Sequence, residues 1–147
     1  MTKIRILVGS ETGTALDVAD ALEETLTANN CSVAVAEDPS LDDLQHPDEV
    51  LLICTSSTGV GDFPSNINPF VIALNDTPPN IAGRRYGVIS LGDSSFETYA
   101  AAATRLDGMF SDIGAVRIGE PLFLDALETF TPDKDAITWV KQWVTLL

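Results

Sequence analysis

Five short apolar runs rich in β-branched and aliphatic residues punctuate the chain: KIRILV (3–8), SVAVA (32–36), VLLICTS (50–56), YGVISL (86–91) and PLFLDA (121–126). Between them the apolar spacing changes period, as in Ala15, Val18, Leu22 and Leu26, which fall on one helical stripe. Parallel strands need a crossover, and helices that alternate with strands cover both faces of the sheet they connect. The expected fold is therefore α/β, a doubly wound five-stranded parallel sheet with helices on both faces. The first helix is expected to begin near Gly13 and end about Asn29 and Asn30, followed by a short helix at 41–44. Further helices are expected over 66–75, with Pro69 in the first turn, and over 98–113, stopping at Gly114. The last opens with Thr131 as N-cap and Pro132 at the first helical position. Its stripe of Ile137, Val140, Val144 and Leu147 reads as core, and Trp139 and Trp143 as packing or edge cover. No repeat or linker interrupts the 147 residues, so 1–147 reads as a single domain.

Charge excludes whole classes of partner. Eight basic residues stand against 22 acidic ones, a formal net charge of −14. Nucleic acid and anionic lipid both need a basic face, so neither is expected to bind. Six carboxylates and no Lys or Arg fall between Glu37 and Glu49. Such a run reads first as a solvated face and second as a docking patch for a basic protein. No segment approaches the roughly 20 apolar residues of a membrane span, and the start, MTKIRILVGSETG, lacks the pattern of a secretory signal. The expected location is cytoplasmic. Cys31 and Cys54 are too far apart for CxxC chemistry and read as buried spectators, and His46 has no second ligand nearby, so no metal site is expected.

Loops that follow parallel strands emerge at one edge of the sheet, so the turns after the first, third and fourth runs can share a site. They read GSETGTA, TSSTGVGDFP and LGDSSFETY, all rich in hydroxyls and glycine. In the first, Ser10, Thr12 and Thr14 supply hydroxyls, Gly13 permits close backbone approach, and the following helix presents free N–H groups and its positive dipole end. The loop is either a phosphate seat without a cation or a helix start capped by Thr12 or a neighbouring hydroxyl. It matches neither a Walker loop nor GxGxxG. In the second, Gly59 and Gly61 permit a peptide to point either way, which suits a changeable hydrogen bond or a plain surface turn. In the third, Gly92 and Asp93 precede Phe96 and Tyr99, setting backbone donors beside aromatic faces, a combination suited to a flat heterocycle.

These loops resemble those of the flavodoxin family, and the resemblance covers the whole chain. SETGTA is similar to the family's phosphate loop, in which a Ser or Thr, any residue, Thr, Gly, any residue and a Thr or Ala follow one another. LGDSSFETY resembles the loop at the flavin's pyrimidine edge and outer face, and STGVGD resembles the second flavin loop of short bacterial flavodoxins. The resemblance implies the family's strand order, 2-1-3-4-5, with FMN at the switch point between the first and third strands. It implies phosphate contacts from Ser10, Thr12, Thr14 and the backbone of Glu11, Gly13 and Ala15. It places Ser56, Ser57, Thr58, Gly59, Val60 and Gly61 on one side of the cofactor and Leu91, Gly92, Asp93, Phe96 and Tyr99 on the other. The chain departs from the family in two places: Thr58 stands where an inner aromatic is common, and Phe96 where Tyr is usual.

By resemblance the function is one-electron traffic through FMN, a low-potential carrier between a reductase and acceptor enzymes, with the Gly59 carbonyl free to turn toward the reduced flavin. The partners implied are basic-surfaced redox proteins such as a flavodoxin or ferredoxin reductase, and the simplest carrier is a monomer. No catalytic residue is implied, because the chemistry is the cofactor's. Two rivals share the topology or the cofactor. A phosphoacceptor receiver domain needs an acidic pair after the first strand and an Asp after the third, where this chain has GSETG and TSSTG. A flavin-dependent NAD(P)H:quinone reductase needs a nicotinamide site, for which 147 residues leave little room.

Overall fold

Strand β1 (Thr2–Gly9) sends Ile4, Ile6 and Val8 to one side of the sheet and Leu7 to the other, and all four are buried. Strand β3 (Glu49–Ser56) repeats the alternation, with Val50, Leu52 and Cys54 on one side and Leu51 and Ile53 on the other. Burial on both faces is why these strands read as continuous apolar runs rather than as alternating ones. The computed structural model describes residues 1–58 and 61–147.

The other strands are β2 (Cys31–Ala36), β4 (Arg85–Gly92), β5 (Val116–Arg117) and β6 (Leu122–Asp125). The sheet is parallel in the order β2-β1-β3-β4-β5, with β6 also paired to β4. Register sets Leu7 beside Ile53, and Ile53 beside Val88. Helices α1 (Thr14–Ala28) and α4 (Pro132–Trp143) cover one face, while α2 (Asn68–Asp76) and α3 (Ala101–Asp112) cover the other. A 3-10 turn, Leu41–Leu44, lies before β3.

The expected strand order holds, and its fifth position is occupied by two segments, the second of which is the apolar run at 121–126. Arg85 and Tyr86 pair with Val116 and Arg117, then Ile89 to Gly92 pair with Leu122 to Asp125. Gly119, at φ 74°, lies in the interruption. Two indoles hold the gap: Trp143 Nε1 donates to the Ile118 carbonyl at 2.9 Å and Trp139 Nε1 to that of Glu120 at 3.3 Å, with the rings stacked 5.5 Å apart. Trp143 is also core, lying so close to Gly87 that any Cβ there would collide with its ring. The buried face of α4 is accordingly Ala136, Val140 and Trp143, with Ile137 only half-buried. Thr131 stands at the N-cap position, but its hydroxyl makes no capping bond.

The acidic stretch is less bare than its sequence. Arg5 grips Glu49 with two nitrogens at 2.8 and 3.1 Å and reaches Asp43 at 3.1 Å. Lys3 pairs with Asp48 at 2.8 Å. The first strand therefore pairs Lys3 and Arg5 with three carboxylates, Asp43, Asp48 and Glu49, and leaves Glu37, Asp38 and Asp42 without an ion pair among the described residues. Both cysteines are buried and unpaired, and burial pushes the Cys54 thiol up to about 12. Among the described residues no helix is long and apolar enough to cross a membrane.

Candidate functional site

The carboxyl ends of β1, β3, β4 and β6 open into a pocket of about 230 Å³. Thr12 and Thr14 line it from the first loop, Ser56 and Ser57 from the end of β3, and Leu91, Gly92 and Asp93 from the end of β4. Leu124, Ala126, Thr129 and Pro132 complete the wall. Its hydrogen-bonding groups are neutral hydroxyls and backbone, and Asp93 is the charged side chain in the lining. No group of His, Cys, Asp and Glu among the described residues could hold a metal.

The first loop is built to present N–H groups rather than to cap them. Gly13, at φ 94°, is the N-cap of α1, a left-handed conformation that an L side chain adopts only at a cost. No side chain caps the helix, so the alternative in which Thr12 serves as cap does not hold; Thr12 and Thr14 line the pocket instead. The half-buried Ser10 accepts the Gly13 N–H on its Oγ at 2.8 Å. Ala15 is wholly buried in the core, so only its backbone belongs to the loop.

Two residues outside the loop hold it in place. Asn66 accepts the Ser10 N–H on Oδ1 at 2.8 Å, while its Nδ2 donates to the carbonyls of Val8 at 2.7 Å and Glu37 at 2.6 Å. A single amide thus ties β1, the first loop and the segment after β2. The Glu11 carboxylate accepts the Ser65 N–H at 2.7 Å and its hydroxyl at 3.2 Å, and it lines a different groove from the pocket. The one acid in this loop is thereby drawn aside.

The second loop is closed on itself and tied to its neighbour. Thr58 donates its N–H to the Asp62 carbonyl and accepts the Asp62 N–H on Oγ1, both at 3.1 Å, while the Gly61 N–H returns to the Thr58 carbonyl at 2.8 Å. Ser57 Oγ accepts the N–H of Ala102 at 3.0 Å, and the Ser57 N–H donates to the Leu91 carbonyl at 3.2 Å. Thr58 thus closes the loop and Gly61, at φ 84°, turns it; Gly59 and Val60, assigned to the cofactor from the sequence, lie outside the described residues.

In the third loop Asp93 Oδ1 accepts the Ser95 N–H at 2.9 Å and its hydroxyl at 2.6 Å, a local turn that such side chains favour. Gly92 is obligatory because a Cβ there would lie 2.0 Å from the Tyr99 carbonyl oxygen. Phe96 is 48% exposed and Tyr99 half-buried, and neither ring lines the pocket. The structure brings Thr12, Thr14, Ser56, Ser57, Leu91, Gly92 and Asp93 together in the pocket lining, to which Phe96 and Tyr99 do not contribute.

Sequence reasoning overlooked the fourth loop. Asp125, at the end of β6, accepts the N–H groups of Ser94 and Leu127, each at 3.0 Å, and these bonds hold its carboxyl below the usual carboxylate range. The Ala126 N–H donates to the Gly92 carbonyl at 2.8 Å, so the third and fourth loops are stitched together. The signal was available: a strand ending in Asp at the same sheet edge places its loop beside the others. Asn66 offered no such signal, since its partners are remote in sequence.

Comparison with known proteins agrees with this geometry. The family model described as Flavodoxin matches residues 6–139. Flavodoxin YqcA of Escherichia coli K12 is 40% identical over 151 aligned residues, covering 100% of this chain and 99% of that protein. Protein MioC from the same organism is 32% identical, covering 100% and 99% respectively. The solved structure of a cysteine-to-alanine mutant of flavodoxin from Pseudomonas aeruginosa superimposes with a TM-score of 0.92 at 36% identity, with 99% of each chain covered.

Proposed function

We propose, on the premise that this chain belongs to the flavodoxin family, that it is an FMN-binding single-domain electron carrier that shuttles single electrons from a reductase to acceptor enzymes. The observation that carries the reading is the pocket itself: a helix start with no side-chain cap, flanked by Thr12 and Thr14, opening on Ser56, Ser57 and the backbone of Gly92.

These residues fit a phosphorylated flavin. Uncapped N–H groups and hydroxyls at the positive end of α1 suit a phosphate and need no lysine. Ser10 and Asn66 hold that loop in its presenting conformation, and Ser65 holds the Glu11 carboxylate aside, where its charge opposes the phosphate least. Gly92 and Asp93 offer backbone at the edge where a heterocycle would lie. When bound, FMN supplies the electron chemistry; the protein supplies position, exclusion of water and a surrounding negative charge.

The receiver-domain rival lacks support at this sheet edge, where hydroxyls stand in place of an acidic cluster. The quinone-reductase rival is distinguished by rapid NADPH oxidation by the purified protein alone.

The deciding experiment is an absorption spectrum of the purified protein before and after addition of FMN and gel filtration, followed by slow anaerobic photoreduction. Retained flavin bands that bleach in two resolved one-electron stages support the carrier reading. Loss of all flavin on the column overturns it.

A further inference from the structure

We propose that the groove between α2 and α3 is a docking site for a cationic amphipathic segment of a protein partner. The two helices pack on the same face of the sheet yet leave between them an open groove of about 1060 Å³. It begins at Glu11, Asp62 and Phe63, beside the first and second loops, and ends at Asp76 and Asp112. Phe63, Val71, Ile72 and Met109 give it an apolar lining, and Ile72 is 53% exposed.

The charge at its far end is uncompensated. Asp76 is the last residue of α2 and Asp112 the last of α3, and neither helix has a basic residue in its last turn. A carboxylate at a helix C-terminus opposes the helix dipole, so both helices are less stable for carrying one. Among the described residues no ion pair engages Asp62, Asp76 or Asp112, in contrast to Asp43, Asp48 and Glu49, which pair with Lys3 and Arg5. Arg105, the cation in the groove, lies 4.7 Å over the Phe63 ring.

An occupant that complements this groove sets Lys or Arg against Asp76 and Asp112 and apolar side chains against Ile72 and Met109, the arrangement of a basic amphipathic helix. A second copy of this chain brings a further −14 and is repelled. A lone metal cation leaves the apolar lining unused. Glu11, at one end of the groove, is next in the chain to Thr12 of the candidate cofactor pocket, so a segment seated in the groove meets the loop that lines that pocket. Only the partner's being a redox protein rests on the carrier reading; the binding itself does not require FMN.

The probe is a fluorescein-labelled helical peptide of alternating Leu and Lys pairs, about 14 residues long, titrated against the full chain with and without FMN and read by fluorescence anisotropy at low and high salt. Saturable binding that weakens with salt is expected. The double variant D76N and D112N, and separately I72S, should each weaken it about tenfold or more, whereas E23Q with E24Q on α1 should leave it within about twofold, because those exposed acids lie on the other face of the sheet. Circular dichroism confirms that each variant folds, and D76N with D112N should melt no lower than the parent. Equal weakening by the α1 pair, equal binding of a peptide with Glu in place of Lys, or no binding at all overturns the proposal. FMN retention, measured on the same samples, tests the carrier reading separately: a variant that keeps flavin and loses peptide isolates the groove.

Discussion

The Glu11 carboxylate accepts two hydrogen bonds from Ser65, one from the backbone at 2.7 Å and one from the hydroxyl at 3.2 Å. A negative charge in a loop read as a phosphate seat is thereby held by the segment that leads into α2, away from the pocket. Glu11→Gln keeps an oxygen for the Ser65 N–H and removes the charge. FMN should bind the variant several-fold more tightly at low ionic strength, on the order of 1 kcal/mol or less for a screened pair, and the gain should vanish in high salt. Fluorescence titration at two salt concentrations checks this; tighter binding that persists in high salt would show that charge is not the cause.

Asn66 offers the sharpest test of how the first loop is held. Asn66→Ala removes three hydrogen bonds at once, those with the Ser10 N–H and with the carbonyls of Val8 and Glu37. At roughly 0.5–1.5 kcal/mol per bond the chain should lose about 2–4 kcal/mol of stability. FMN affinity should fall about tenfold or more, because the loop must then be ordered by the ligand. Urea denaturation of the apo chain and flavin titration separate the two effects. Undiminished affinity in a destabilised variant would refute the positioning role.

Asp125 makes the site acid-sensitive. Hydrogen bonds from Ser94 and Leu127 favour its ionised form, so its folded pKa lies below the unfolded value of about 4. The stabilisation is complete above that unfolded value and is lost as pH falls through the folded one. FMN release measured as pH is lowered should show a step below the unfolded carboxylate value, and Asp125→Asn should weaken binding at neutral pH while flattening that step. An unchanged acid profile in the variant would assign the step to other groups.

The surrounding charge bears on the potential. With a net charge of −14 and Asp93 in the pocket lining, adding the second electron to bound FMN is opposed by repulsion. The second one-electron couple should lie below that of free FMN, at 59 mV for each 1.4 kcal/mol or so of repulsion. Redox titration decides, and a couple at or above the free value would rule the effect out.

The regular part of this fold was legible because strands buried on both faces carry continuous apolar runs, as β1 and β3 do, while α1 carries its stripe of Ala15, Val18, Leu22 and Leu26. The split at the sheet edge was not. Val116 and Arg117 are exposed and number only two, so no run announces them, and the indoles that hold the gap come from the far end of the chain. At the pocket, Thr12, Thr14, Ser57 and Gly92 could be read because hydroxyl and glycine density after a strand has a chemical meaning. The 48% exposure of Phe96 could not, since aromatic identity does not say how much of a ring a loop leaves uncovered. Asn66 and Asp125 act through partners brought near only by folding, and local pattern carries no trace of that.

The divided strand at the edge of the sheet bears on self-association. A long flat edge offers a row of free backbone groups on which a neighbour's strand can grow, the usual route to fibrils. Here the edge offers two residues, a bend at Gly119 and then four more, and the carbonyls of Ile118 and Glu120 in the gap are already taken by the indoles of Trp143 and Trp139. Such an edge gives an incoming strand no uninterrupted template, so in a crowded solution of this protein this margin is guarded against stacking.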